Sequence, residues 1–115
     1  MIQTRILIIF PMICATIFIT VAAHAADKSL TKVQLEKLLI GHTVYFEYGA
    51  KSTFKANGSY QYREAGNVSR GQYTIGDGTV CIEFKTTTRC DRYVKSGNEY
   101  ILINRGGRRF PITIK

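Results

Sequence analysis

The chain has 115 residues, with 16 Lys and Arg against 8 Asp and Glu, a net charge of +8, seven tyrosines, three cysteines and no tryptophan. A chain of this length is too short for two full-sized domains and holds one small domain. Its positive charge favours anionic partners over cationic ones, or serves only to keep a small protein soluble.

Residues 1–25 have the pattern of a secretory signal peptide. Arg5 supplies the positive start, Ile6–Thr20 is an uncharged apolar run, and Ala23–Ala25 has the small-residue pattern of a cleavage site. We therefore expect a single mature domain of residues 26–115, periplasmic or secreted, with no transmembrane segment. The alternative is an uncleaved anchor, because the uncharged run just reaches membrane-spanning length.

Cleavage decides how the cysteines are interpreted, because it removes Cys14 and leaves an even pair. Such a pair in an exported domain predicts one disulfide, Cys81–Cys90. We expect the two cysteines at opposite positions on adjacent strands, on the face away from Val80 and Ile82. The ring is short, so the bridge should stabilise the fold by somewhat under ~3 kcal/mol in the chain-entropy model and should fix the register of a hairpin.

One short helix is predicted between Thr31 and Gly41. Thr31 and Gln34 have the spacing of a capping box, and Leu30 and Leu35 that of a hydrophobic staple. Gly41 supplies the C-terminal stop. A helix this short needs an apolar surface to dock on, so we expect it as a plug or lid on the rest of the domain.

Beyond Gly41 the apolar residues alternate with period two, in about eight short strands that each end in turn residues. Asn57-Gly58 is the strongest hairpin signal among them. Every connection is too short for a parallel crossover, so neighbouring strands should pair antiparallel. The predicted fold is mainly β, a small antiparallel up-and-down meander that curls into a barrel or a strongly bent sheet.

The sequence lacks the common motifs of catalysis and metal binding. The sequence has no nucleophile elbow, phosphate-binding loop or metal-ligand spacing. His42 is the one histidine outside the leader, both remaining cysteines are assigned to the bridge, and the carboxylates are scattered singly. We therefore expect a protein that is not an enzyme and that uses no cofactor or metal.

An arginine-rich hairpin is the first candidate binding feature. Arg105, Arg108 and Arg109 flank a Gly-Gly turn, and three guanidinium groups on one tight turn suit bidentate binding of phosphate or carboxylate. Arg63 and Arg70 could add to this anion site. The alternative is a solvated hairpin whose charges discourage edge pairing.

The tyrosines are the second candidate feature. They could line a ligand cavity inside a small barrel, or they could fill a narrow core and brace cross-strand pairs. The seven are Tyr45, Tyr48, Tyr60, Tyr62, Tyr73, Tyr93 and Tyr100.

Two resemblances follow from local motifs. Asn57–Tyr60, Gly71–Ile75, the two cysteines and Gly97–Tyr100 together resemble the layout of an uncharacterised family of small exported bacterial β proteins, which implies a periplasmic β-barrel and no known activity. Ser96-Gly97-Asn98-Glu99-Tyr100 is similar to the Ser-Gly-x-x-Tyr motif of the bacterial C-type lysozyme inhibitors. That resemblance implies that Ser96, Gly97 and Tyr100 enter the cleft of a target enzyme.

Three functions are therefore left open. The leading hypothesis is a non-enzymatic exported binding module that engages an anionic glycan, a lipid headgroup or an acidic protein through its arginine-rich face. The alternatives are a periplasmic inhibitor of the lysozyme type and a small-ligand-binding barrel. The predicted export makes nucleic acid the least favoured partner.

Overall fold

A computed structural model describes residue 9 and residues 11–18 and 26–115. Residues 11–18 are exposed and lie outside any helix or strand, and Cys14 within them takes no part in a disulfide. Most of the predicted signal peptide, including its cleavage site, lies outside the described residues, so both remain predictions. Within the described ranges, no helix is long and apolar enough to cross a membrane.

The described chain folds into one helix and nine strands. In chain order they are β1 (Asp27–Ser29), α1 (Lys32–Leu39), β2 (Thr43–Phe46), β3 (Lys51–Phe54), β4 (Ser59–Glu64), β5 (Asn67–Ile75), β6 (Thr79–Phe84), β7 (Thr88–Ser96), β8 (Glu99–Ile103) and β9 (Arg109–Ile114).

Strands β2 to β9 form a closed antiparallel barrel. Each pairs with the next along the chain, and β9 returns to β2 with Val44 opposite Ile114 and Phe46 opposite Ile112. Closure leaves these eight strands without a free sheet edge along most of their length. The predicted small antiparallel barrel of about eight strands with one helix is confirmed.

The short strand β1 is an addition that the sequence did not predict. β1 pairs with Val94–Ser96 at the end of β7. It lies on the same edge of β7 as β6, which pairs with the earlier residues Thr88–Arg92. Three exposed residues are too few to show an alternating pattern. β1 therefore extends the barrel wall beyond the end of β6.

Helix α1 begins as predicted and closes one end of the barrel. The Thr31 Oγ1 accepts a hydrogen bond from the Gln34 backbone N–H at 3.2 Å, and the Gln34 Oε1 accepts one from the Thr31 N–H at 2.9 Å. Leu35 and Leu39 are fully buried in the barrel core. The Lys32 N–H donates to Asp77 in the β5–β6 turn at 2.8 Å, which fixes the helix over this end.

Glycine at position 71 allows two aromatic rings to meet across the barrel interior. Gly71 lies opposite Tyr60 on β4 and opposite Phe84 on β6, and the centroids of those two rings are 6.0 Å apart. A Cβ at this position would overlap the backbone carbonyl oxygen of Glu83. The missing side chain thus permits both the strand spacing and the ring contact.

The disulfide joins Cys81 and Cys90 at directly opposite positions of β6 and β7, with the two Cα atoms 4.0 Å apart. The neighbouring Val80 and Ile82 are buried in the core. The bridge consequently lies on the outer face of the hairpin, as predicted.

Candidate functional site

A cleft of about 570 Å³ opens between the first half of β7 and the β8–β9 hairpin. β8 pairs with β7 only over Arg92–Ser96, so the preceding residues of β7 have no strand partner on that side. The hairpin tip continues past them as a loop. The barrel wall is therefore open at this point.

Three arginines line the cleft. Arg89 and Arg92 come from β7, and Arg105 comes from the hairpin tip. Among the described residues, neither Arg92 nor Arg105 forms a salt bridge. Arginines that come from two elements, line one cleft and form no salt bridge supply positive charge suited to an anion.

Asn104 fixes the turn that carries Arg105. Its Oδ1 accepts a hydrogen bond from the Arg108 backbone N–H at 2.9 Å, and its own N–H donates to the Arg108 carbonyl at 3.0 Å. Gly107 closes the turn at a φ of 81°, a backbone conformation that favours glycine. These contacts set the position from which Arg105 reaches the cleft.

Arg89 and Asp91 form an ion pair in the first half of β7, beside the cleft. Arg89 Nε lies 2.9 Å from Asp91 Oδ2, and the hydrogen-bond geometry leaves both Nη groups of Arg89 available. The Arg89 side chain is 44% exposed, whereas that of Asp91 is 3% exposed. Arg89 therefore pairs with a buried carboxylate while part of its side chain remains exposed in the cleft lining.

The second carboxylate oxygen of Asp91 is an unsatisfied acceptor. Asp91 Oδ1 is buried and has no hydrogen-bond partner among the described residues. Burial raises the pKa of Asp91 above its ordinary value, although Arg89 opposes the shift. Burial by itself lowers the pKa of Arg89, but attraction to the Asp91 carboxylate opposes this effect, and the net pKa is above its ordinary value. A buried acceptor without a donor is costly, so the described part of the fold carries an unmet hydrogen bond beside the cleft.

Buried tyrosines pack behind the ion pair. Tyr60 and Tyr93 are 3% and 4% exposed, and burial raises the pKa of both phenols. The Tyr60 hydroxyl lies 2.7 Å from the Ser52 Oγ, which satisfies both groups. These two tyrosines fill the core and do not line an open cavity, while Tyr45 and Tyr48 are exposed.

The structure separates the three arginines that the sequence grouped. Of Arg105, Arg108 and Arg109, Arg105 alone lines the cleft. The Arg108 guanidinium lies 5.1 Å from the centroid of the Phe110 ring, and Arg109 binds Asp27 of β1. Arg89 and Arg92 replace them at the site.

Sequence reasoning missed Arg89 and Arg92 because their position depends on pairing between distant segments. The local pattern Arg89-Cys90-Asp91-Arg92 has charged residues on both faces of the strand and so gives no hydropathy alternation. Only the short overlap of β7 with β8 shows that this segment borders an opening.

Arg63 and Arg70 do not join the cleft. Arg63 lies opposite Lys51 on β3, and Arg70 lies opposite Gln61 on β4. Both face outward on a different part of the wall.

The Ser96–Tyr100 hairpin lies at the other end of β8 from Arg105. Ser96 pairs with both Asp27 and Glu99, and the Lys95 Nζ lies 5.5 Å from the centroid of the Tyr100 ring. Gly97 has a φ of 60° at the turn. Tyr100 is partly buried against the core, so the two predicted binding features belong to separate surfaces.

Within the part of the chain that the structure describes, no group of three or more His, Cys, Asp or Glu side chains is placed to hold a metal ion. The cleft lining offers arginine side chains, and one buried carboxylate oxygen of Asp91 lacks a hydrogen-bond partner among the described residues. No protein-family model matches the chain, and neither the curated proteins nor the solved structures contain a significant match to it.

Proposed function

We propose that the protein is a non-enzymatic exported binding module that takes an anionic group into the cleft between β7 and the β8–β9 hairpin. The observation that carries this proposal is that Arg92 and Arg105, both without salt bridges among the described residues, line the same cleft of about 570 Å³. Guanidinium groups bind phosphate and carboxylate in a bidentate manner.

The ion pair beside these arginines adds a requirement for the ligand. Arg89 offers its free Nη groups, and Asp91 Oδ1 needs a hydrogen-bond donor. A ligand that carries both an anionic group and a hydroxyl or amine satisfies the cleft better than a bare anion does. Acidic sugars and phospholipid headgroups with hydroxyls have this combination.

Arg105→Ser and Arg108→Ser form a matched pair for testing the proposal. Both changes remove one positive charge from the same hairpin, but Arg105 lines the cleft and Arg108 covers Phe110. Isothermal titration with glucuronate and with phosphatidylglycerol vesicles should show about tenfold weaker binding for Arg105→Ser, since a charged hydrogen bond contributes about 1.5–3 kcal/mol. Arg108→Ser should stay within about twofold of the parent. Equal losses in both variants would mean diffuse charge attraction and would overturn the assignment to the cleft.

The source of the anion can be identified by capture from envelope extract at low and high salt. A partner held by exposed guanidinium groups should be lost at high salt, because screening weakens the attraction. Retention at high salt would instead indicate a shaped and largely apolar interface.

A lysozyme-type inhibitor is a second candidate because two carboxylates line a groove beside the Ser96–Tyr100 hairpin. Asn98, Glu99 and Tyr100 line a groove of about 310 Å³ together with Glu47 from the β2–β3 turn. Two carboxylates at this groove suit a cationic enzyme, although the whole chain is basic. Muramidase rates that stay unchanged at micromolar excess of the protein would exclude this function.

A further inference from the structure

The outer face of β2, β3 and β4 carries two cross-strand rows of polar side chains. In the first row, Tyr45 lies opposite Lys51, which lies opposite Arg63. The second row consists of Thr43, Thr53 and Gln61. These six side chains, which we call the basic ladder, line a groove of about 220 Å³.

Two like charges face each other in the first row. Lys51 and Arg63 occupy directly opposite positions on neighbouring strands, an arrangement that destabilises a sheet when nothing offsets the repulsion. Neither forms a salt bridge among the described residues, and neither row contains a carboxylate. An anion bound between the two cations would remove the repulsion.

Further cations extend the basic ladder on both sides. The Lys115 Nζ lies 5.4 Å from the centroid of the Tyr45 ring, and the Lys115 backbone exchanges two hydrogen bonds with Thr43, at 2.9 and 3.0 Å. On the other side, Arg70 of β5 lies opposite Gln61. Neighbouring strands are about 4.8 Å apart, so the cations span roughly 19 Å across the strands.

We propose that the basic ladder binds a linear anionic polysaccharide that lies across the strands. Acidic groups repeated along the polymer meet the successive cations. The Thr43 and Thr53 hydroxyls and the Gln61 amide lie in the adjacent row, where they can exchange hydrogen bonds with sugar hydroxyls.

The side chains of the ladder favour a polysaccharide over single-stranded nucleic acid. Sites for single strands stack successive bases on several aromatic rings. Tyr45 is the single aromatic residue of the ladder, and Lys115 lies over its ring. A row of hydroxyl and amide groups suits sugar hydroxyls instead.

The binding experiment uses polygalacturonate, which carries one carboxylate per sugar, with neutral dextran as the control polymer. The Lys51→Gln/Arg63→Gln double variant should bind polygalacturonate at least tenfold more weakly than the parent and with a shallower salt dependence. The matched control is Lys37→Gln/Lys85→Gln, which removes the same charge from exposed positions outside both the basic ladder and the cleft and should stay within about twofold. Equal losses in the two double variants, or displacement of polygalacturonate by an equal charge of single-stranded DNA, would overturn the proposal.

A second measurement tests the ladder without any ligand. At low salt, Lys51→Gln should raise the Tm of the free protein by roughly 2 °C, because it removes a cross-strand repulsion. The gain should shrink as added salt screens the charges. Lys85→Gln, in the β6–β7 turn, should show no gain. If Lys51→Gln gives no gain at low salt, the two cations do not repel each other and the argument for an anion between them fails.

Discussion

Arg109 donates two hydrogen bonds to the carboxylate of Asp27, from Nη1 to Oδ2 at 2.7 Å and from Nη2 to Oδ1 at 2.8 Å. The pair links β9 to β1. The hydrogen bond from Arg109 is the main cause that lowers the pKa of Asp27, with a smaller contribution from Arg92. Arg109 therefore holds the first strand against the barrel, and its guanidinium is not free for a ligand.

The change Arg109→Ser should loosen β1 and leave anion binding nearly intact. We expect faster amide exchange at Lys28 and Ser29, measured by NMR, and an affinity for glucuronate within about twofold of the parent. Because the pKa of Asp27 is lowered in the fold, the pair stabilises β1 above the ordinary pKa of 3.8, and this effect is lost as the pH falls through the folded-state pKa. Parent and variant should then exchange alike in acid. An affinity loss as large as that of Arg105→Ser would place Arg109 in the binding site.

Removing the disulfide should lower stability by a moderate amount and preserve the fold. The Cys81→Ser/Cys90→Ser variant loses a ring of short span, with a sequence separation of 9, worth somewhat under ~3 kcal/mol in the chain-entropy model. Urea unfolding followed by far-UV circular dichroism measures the difference. The parent unfolded in the presence of a reductant is the control and should match the double variant, because reduction opens the same bridge. Loss of the folded signal in the double variant without urea would show that the bridge is needed to set the strand register.

The helix and the disulfide could be predicted from sequence because local rules determine them. Thr31 and Gln34 are three residues apart, and the two cysteines belong to one hairpin. Antiparallel pairing followed in the same way from the short connections.

Closure and the cleft depend on contacts between distant segments. The pairing of Val44 with Ile114 joins the first and last strands of the barrel, and no local pattern indicates it. The Arg89–Asp91 ion pair breaks the expected separation of apolar and polar faces on β7. Such a pair is tolerated because each charge offsets part of the other's burial cost, a balance that only the folded geometry determines.

The effects of mutating Ser52 and Tyr60 on the free energy of unfolding should be strongly coupled, because their buried hydroxyls form a hydrogen-bonded pair. Ser52 is 1% exposed, and its Oγ lies 2.7 Å from the Tyr60 hydroxyl. Ser52→Ala and Tyr60→Phe should each cost about 1–3 kcal/mol, because each leaves one buried hydroxyl without its partner. The double variant should cost less than the sum of the single ones, since it removes both groups. Urea unfolding of the four proteins measures this coupling, and additive effects would show that the two hydroxyls do not depend on each other.

The carboxylate of Asp91 should make stability fall as the pH rises, the opposite of the usual behaviour of a salt-bridged acid. Burial raises its folded-state pKa above the ordinary value of 3.8 in spite of Arg89. Between these two pKa values the folded protein keeps a proton that the unfolded chain has lost. The free energy of unfolding therefore decreases as the pH rises through this range. Asn cannot titrate, and Asp91→Asn removes this dependence.

Urea unfolding of the parent and of Asp91→Asn across a series of pH values tests this behaviour. The free energy of unfolding of the parent, minus that of the variant, should decrease from below pH 3.8 until the folded-state pKa is passed, and then stay level. A difference that instead grows with pH would show that Arg89 outweighs burial. A ligand that donates a hydrogen bond to Asp91 Oδ1 favours the ionised carboxylate, so saturating glucuronate should reduce the decrease. An unchanged decrease in a complex that is demonstrably formed would mean that the ligand does not reach this oxygen.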